Sequence, residues 1–251
     1  MPLAFPLSTH YAAQRQYYQE AMARRYSCRA YSRPLSDKQA NDLSAVAARV
    51  CLPGVRIAIA PCPENLFFGL PIVGKIHGMS HYACIFVQQD AEHAAIRAGI
   101  SGEAFVLEAT AMGIGTCWVS GSYRRSAVSA ACQTGEKLLA VTPLGIPDEG
   151  HSKALGRHKT PEKLCTTDFS AWPCQAQQAV QNVCCAPSAV NLQPWKLSYA
   201  GHTLTLTAGS KTDTLDMGIA MLHMECAMDG AHRWTWGEGK NVAHLSIEEN
   251  Q

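Results

Sequence analysis

Two rhythms of apolar and polar positions run through this chain. From Ser8 to Arg25 the apolar residues, among them Tyr11, Tyr18 and Met22, recur at mixed three- and four-residue spacing, which predicts a helix. "RRYSCRAYS" closes it, and Pro34 with Ser36-Asp37 opens a second helix from Asp37 to Cys51, stopped by Pro53-Gly54. "VRIAIA" and "HYACIFVQ" are β-branched and aromatic between turn formers and predict strands, separated by the long irregular stretch "PCPENLFFGLPIVGKIHG". "SGEAFVLEATAMG" is apolar on most sides, which predicts a buried helix with Gly113 at its C-terminal cap. "KLLAVTPLGI" predicts another strand, and the polar "PDEGHSKALGRHKTPEK" a connector.

Beyond the connector the elements restart. A helix is predicted from Cys174 to Cys185, then the loop "CCAPSAVNLQPW", in which Pro187 biases Ala186 away from helical backbone. "KLSYAGHTLTLTA" reads as two strands joined at Ala-Gly, "DMGIAMLHMECAMDG" as a second buried helix, and "HRWTWGEGKNVAHLSIE" as a hairpin. The restart points to an internal repeat. One fixed shift sets Cys51 and Pro53 onto Cys185 and Pro187; a shorter one sets Gly102, Ala104, Ala111 and Met112 onto Gly218, Ala220, Ala227 and Met228. The second copy is thus the shorter, and the halves are drawn at residues 1–165 and 166–251. Two related halves would pack as an internal pseudo-dimer, with a ligand held between halves as a homodimer holds one between chains.

Composition narrows the function classes. With 47% apolar and 16% charged residues the chain has a globular balance, and Lys+Arg 21 against Asp+Glu 20 leaves no basic excess for nucleic acid or an acidic membrane surface. No run approaches the roughly 18 apolar residues of a membrane span. The N-terminal stretch carries two prolines and no basic region ahead of a hydrophobic core, so neither a signal peptide nor a span is expected. Eleven cysteines, without C-x-x-C or zinc spacing, read as reduced, buried small residues of a cytoplasmic protein.

Candidate chemistry is sparse. Arg25, Ser27 and Arg29 alternate at a helix end, where two guanidinium forks and a hydroxyl suit a phosphate or an electron-poor carbonyl, or else form a basic helix end favoured by the macrodipole. Arg157 and Lys159 in "LGRHK" are either a phosphate grip or solvated charges. Gly113 and Gly115 fail the G-x-G-x-x-G frame, but "CWVSG" reads as a short extended strand whose Ser120 and Gly121 amides can meet a ligand edge. Ser188 and Asn191 by default hydrogen-bond local backbone, as turn residues do. No nucleophilic triad or metal cluster emerges, and "HME" at 223–225 lacks the second histidine of a zinc-protease helix, so the hard chemistry of an enzyme here would belong to a cofactor.

Taken in order, these pieces resemble the nitroreductase family of FMN-dependent oxidoreductases. Arg25-x-Ser27-x-Arg29 is similar to the family's opening R-x-S-x-[KR] motif, "GEAFVLEATAMGIGTCWVSG" to its central helix and the strand beside the flavin, "VTPLGIPDEGHSKALGRHKTPEKL" to its closing strand and basic tail, and "APSAVNLQPW" to its P-S-x-x-N-x-Q-P-W loop. In ordinary members that loop comes one helix after the arginine motif; here it follows the whole first unit, as in the subgroup that fuses two such units.

The resemblance implies an α+β, nitroreductase-like fold of two related halves, a monomer that is its own pseudo-dimer, with one FMN per chain. The reciprocal site would be lost, because the repeat shift carries "RRYSCR" onto "HKTPEK". Arg25, Ser27 and Arg29 would contact the FMN phosphate, ribityl chain and pyrimidine edge; Pro187, Ser188 and Asn191 would approach from the other half. Trp118, Ser120 and Gly121 would lie along the isoalloxazine, Arg157 and Lys159 would bind phosphate, and Lys75 is a weaker match to a pyrimidine-contacting lysine. The implied activity is ping-pong: NAD(P)H gives hydride to the flavin, then a small-molecule acceptor such as a nitroaromatic or quinone takes the electrons. A non-catalytic FMN-binding or flavin-handling protein is the alternative. Phe67, Phe68 and Leu70 either cover the substrate side or are buried packing.

Overall fold

The computed structural model describes residues 11–69, 74–130, 132–150 and 158–247. In order they form α1 (Arg15–Arg24), β1 (Tyr31–Arg33), α2 (Asp37–Val50), β2 (Val55–Pro61), β3 (His81–Gln88), α3 (Ala94–Ala111), β4 (Glu136–Leu144) and β5 (Ile146–Pro147). There follow the single turn α4 (Pro161–Leu164), α5 (Cys174–Cys184), β6 (Trp195–Ala200), β7 (Thr203–Ala208), α6 (Leu215–Glu225), β8 (His232–Trp236) and β9 (Asn241–Ile247). The chain divides into two compact units, Arg24–Gly156 and the pair Met1–Ala23 with Arg157–Gln251.

In the unit Arg24–Gly156, α2 starts where Ser36-Asp37 predicts, at a capping box: the Ser36 hydroxyl accepts from Gln39 N at 3.3 Å and Gln39 Oε1 from Ser36 N at 3.0 Å. The sheet runs β2-β3-β4, antiparallel throughout, beside a separate β1-β5 ribbon. Central β3 is buried from Tyr82 to Val87. Its Ile85 faces α3, while Tyr82, Cys84 and Phe86 join Leu66, Phe67, Tyr123 and Val141 in one cluster on the other side. Covered on both faces, the strand reads as a continuous apolar run with no alternation.

Helix α3 begins at Ala94, well before the expected Ser101. Gly99 and Gly102 obscure the start, since each glycine costs about 1 kcal/mol in a helix interior. Gly102 marks a close approach: a Cβ there would lie 2.4 Å from Trp118 Cη2 and 2.9 Å from Ile85 Cδ1. At the other end Gly113 has φ +76°, the left-handed cap the sequence predicts.

The second unit carries an antiparallel sheet ordered β6-β7-β9-β8. Along β7, Leu204, Leu206 and Ala208 are buried and the intervening threonines are not, the alternation of a sheet covered on one face. Gly201 and His202, with φ +53° and +60°, make the two-residue turn that joins β6 to β7. Helix α5 buries Ala176, Ala179, Val180 and Val183, one stripe at helical spacing, and packs on α6, which is buried from Met217 to Glu225.

The first helix is shorter than its apolar spacing predicts: α1 starts at Arg15 after a 3-10 turn over Ala12–Gln14. It belongs with the C-terminal unit, tied there by Gln19 Nε2 to Cys226 O at 2.6 Å and Arg15 to Glu225 at 3.1 Å. The compact units therefore follow a different line from a simple cut after residue 165. Among the described residues no helix is long and apolar enough to cross a membrane.

Candidate functional site

Arg25 directly follows the last residue of α1 and turns inward, its side chain only 7% exposed. Its Nε stands 3.8 Å from Glu103 Oε1 and makes no hydrogen bond among the described residues. Glu103, fully buried on α3, uses Oε2 to accept the Trp118 indole N–H at 2.8 Å. Backbone pairing aligns the two segments: Ser27 bridges Thr116 in parallel, and Cys28 N donates to Thr116 O at 2.8 Å. On the far side His77 N donates to Arg29 O at 3.0 Å, so the stretch carrying exposed Lys75 borders Arg29, whose Nη1 donates to Ser27 O at 3.2 Å. Arg25, Ser27, Arg29, Lys75 and Trp118 are thus gathered in one unit.

The expected "CWVSG" strand is reduced to a single bridge, Val119 with Val141, at 2.9 Å in both directions. The ladder stops because Cys117 N donates to the Thr142 hydroxyl at 3.0 Å instead of to main chain. Ser120 and Gly121 then leave the sheet, exposed, their amides donating to nothing among the described residues. Burial pushes the Tyr26 phenol up to about 12, with nearby Cys28 adding to it, and burial also raises the Cys28 and Cys117 thiols. These groups stay neutral, so the local positive charge comes from Arg25, Arg29 and Lys75. A buried donor without an acceptor costs about 1–3 kcal/mol; an anionic ligand with a planar polar edge would supply what Arg25 lacks.

In the other unit the loop after α5 is organised by Gln193, which is fully buried. Its Nε2 donates to Cys184 O at 2.8 Å and Ala186 O at 3.2 Å, satisfying carbonyls that a helix end leaves without partners. Its Oε1 accepts from Lys159 N at 2.6 Å, its carbonyl from Lys159 Nζ at 2.9 Å, and its own N–H goes to the Ser188 hydroxyl at 2.7 Å. The local bonding expected of Ser188 is therefore present. Val190, Asn191 and Gln193 are all left-handed, with φ +45°, +56° and +43°. For a β-branched residue this is strained, and Val190 is held so with its side chain 64% exposed. The strain is braced by Ala189 N on Asp216 Oδ1 at 3.1 Å, a carboxyl that burial shifts upward.

Reading the sequence missed Gln193, Glu103 and Glu225. The signal for the two acids was a carboxylate within a largely apolar helix, since a buried charge needs partners. Glu225, fully buried, takes Arg15 Nη2 at 3.1 Å, His232 Nε2 at 2.9 Å and Trp234 Nε1 at 2.9 Å. Leu66 and Phe67 are core, whereas Phe68 is 37% exposed and pairs with Ser122 O at 3.2 Å. Arg157 and Leu70 lie outside the described residues.

A family model described as "Putative TM nitroreductase" matches residues 18–228. The chain belongs to this nitroreductase family. Among solved structures, one from Thermotoga maritima described as a putative nitroreductase is 19% identical and superposes with a TM-score of 0.66 over 92% of this chain and 93% of its own. The mixed helix and sheet architecture is therefore the nitroreductase-like fold. A putative nitroreductase in complex with FMN from Desulfovibrio desulfuricans is 16% identical, with a TM-score of 0.42 over 59% of this chain and 94% of its own. A protein from Bacteroides thetaiotaomicron described as a putative NADH dehydrogenase/NAD(P)H nitroreductase is 12% identical, with a TM-score of 0.47 over 59% and 95%. A search of curated proteins finds no match.

Proposed function

We propose that this protein is an FMN-dependent NAD(P)H oxidoreductase that reduces electron-poor small molecules, such as nitroaromatics or quinones, by alternating hydride transfer. The observation that carries this reading is Arg25: a buried guanidinium whose Nε has no acceptor, set beside the Glu103–Trp118 pair on the segment that leads to the exposed Ser120 and Gly121 amides. The donor set fits FMN, whose phosphate, ribityl hydroxyls and pyrimidine carbonyls all accept hydrogen bonds. Membership of the nitroreductase family supports the same assignment. When bound, FMN supplies the two-electron hydride chemistry that no side chain here can perform.

The chain's own residues would bind and orient it. Arg25, Ser27 and Arg29 donate to its anionic and carbonyl oxygens, Lys75 adds a positive charge at the surface, and Trp118 presents an indole fixed by Glu103. Ser120 and Gly121 offer main-chain donors to the ring edge. Pro187, Ser188, Asn191, Lys159 and Arg157 are assigned to the cofactor on their motifs alone. Ser188 accepts from Gln193 yet keeps its own hydroxyl proton to donate, and Lys159 has ammonium protons beyond the one on Gln193. Eleven free thiols, with burial raising Cys84 and Cys184 to about 12, suit a reducing, cytoplasmic setting.

The absorption spectrum of the purified protein, before and after loading with FMN, is the first test, followed by NAD(P)H consumption with a nitroaromatic or a quinone. The expected outcome is a yellow protein that turns over. A yellow protein without turnover would support a non-catalytic flavin binder instead, and a colourless protein that cannot be loaded would sink both.

A further inference from the structure

We infer that Glu103 is a positioning residue for the flavin, holding the Arg25 guanidinium charge-balanced but with its Nε–H in reserve while it locks the Trp118 indole in place. This inference rests on the FMN reading above and goes beyond it, to a residue that touches two cofactor-binding segments from underneath.

A carboxylate buried in an apolar helix is costly unless it is paired and hydrogen-bonded. Glu103 is fully buried and its two oxygens serve two different stretches of chain: Oε2 accepts the Trp118 N–H at 2.8 Å, and Oε1 faces Arg25 Nε at 3.8 Å. Trp118 is confined further by Gly102, one residue before Glu103, where even a methyl group would collide with the indole. The carboxylate and the glycine together fix the ring against α3.

The other unit holds a similar trio with tighter pairing. Glu225 also takes a tryptophan indole and an arginine, but there Arg15 comes within 3.1 Å and His232 adds a further bond at 2.9 Å. At Glu103 the arginine stands 0.7 Å further off than at Glu225, 3.8 Å against 3.1 Å, so the pair is held by charge without the hydrogen bond that Arg15 gives Glu225. The charge is balanced without the donor being consumed, the arrangement an arginine needs to receive an anionic oxygen from outside the protein.

The test is FMN affinity, measured by quenching of flavin fluorescence on titration into the apoprotein. Wild type is titrated first, then Glu103→Gln, which keeps an acceptor for Trp118 and loses the charge, Arg25→Ala, and the double variant. Glu103→Gln is expected to weaken binding about tenfold, with no additional loss in the Arg25→Ala background. A merely structural role would weaken binding by the same factor with or without Arg25. Glu103→Asp, which keeps the charge but shortens its reach, carries the test should Glu103→Gln not fold, and is expected to bind less tightly than wild type when both are titrated below their melting temperatures. Additive losses, or unchanged affinity in the folded Glu103 variants, would overturn the role of Glu103 and leave the flavin reading standing. A wild-type protein with no FMN affinity would overturn the flavin reading and this inference with it.

Discussion

His232 and Arg15 divide the buried Glu225 carboxylate between them, His232 Nε2 on Oε2 at 2.9 Å and Arg15 Nη2 on Oε1 at 3.1 Å, with Trp234 adding its indole N–H. Burial pulls the His232 pKa down, but the hydrogen bond and charge of Glu225 outweigh it, and the net shift is upward from 6.5. A histidine raised on folding contributes stability that is fully present below its unfolded pKa and lost as pH rises through the folded one. Denaturant unfolding is therefore expected to show wild-type stability declining as pH climbs from about 6.5 through the raised value, with that slope flattened in His232→Gln. An identical slope in the variant would show that His232 does not titrate in this window. Val190 illustrates the opposite use of a residue, an exposed side chain on strained backbone that packing alone would not select.

Elements carry their reasons in their neighbours. β3 and β7 have similar apolar content on their buried positions, yet only β7 alternates, because only β3 is covered on both faces. α3 tolerates Gly102 for the same kind of reason. By helix propensity alone, Gly102→Ala should gain about 1 kcal/mol. The indole atom 2.4 Å from the new Cβ reverses the sign, since overpacking of this kind costs about 1–3 kcal/mol. Set against the propensity gain, a net loss of up to about 2 kcal/mol in urea unfolding is expected; a stabilised variant would mean that Trp118 gives way freely.

At the scale of the whole molecule each unit repeats the order helix, strand, strand, helix, as α2-β2-β3-α3 and α5-β6-β7-α6. From this shared order, with the residue matches at Cys51 and Cys185 and at Gly102 and Gly218, we propose an internal duplication. Under that proposal the second copy has lost the arginine motif, so the chain binds one flavin. The flavin-to-protein ratio after loading and gel filtration is expected to be one, and a ratio of two would defeat the single-site proposal.

Most elements were legible along the chain because their signals are local: a period of two or 3.6, a capping serine at Ser36, a glycine at position 113. The residues of the family motifs were legible as residue types, and family membership bears out the resemblance they carried. What only the tertiary structure decided are the pairings between residues far apart in sequence. Arg25 against Glu103, Gln19 against Cys226 and Gln193 against Lys159 leave no periodic trace. They determine that α1 joins the C-terminal unit, that Arg25 is buried with a donor unspent, and that the loop after α5 is strung from one glutamine. The physical reason is that a hydrophobic pattern specifies which face of an element is buried, whereas a buried polar group is stabilised only by the particular partner that folding brings to it.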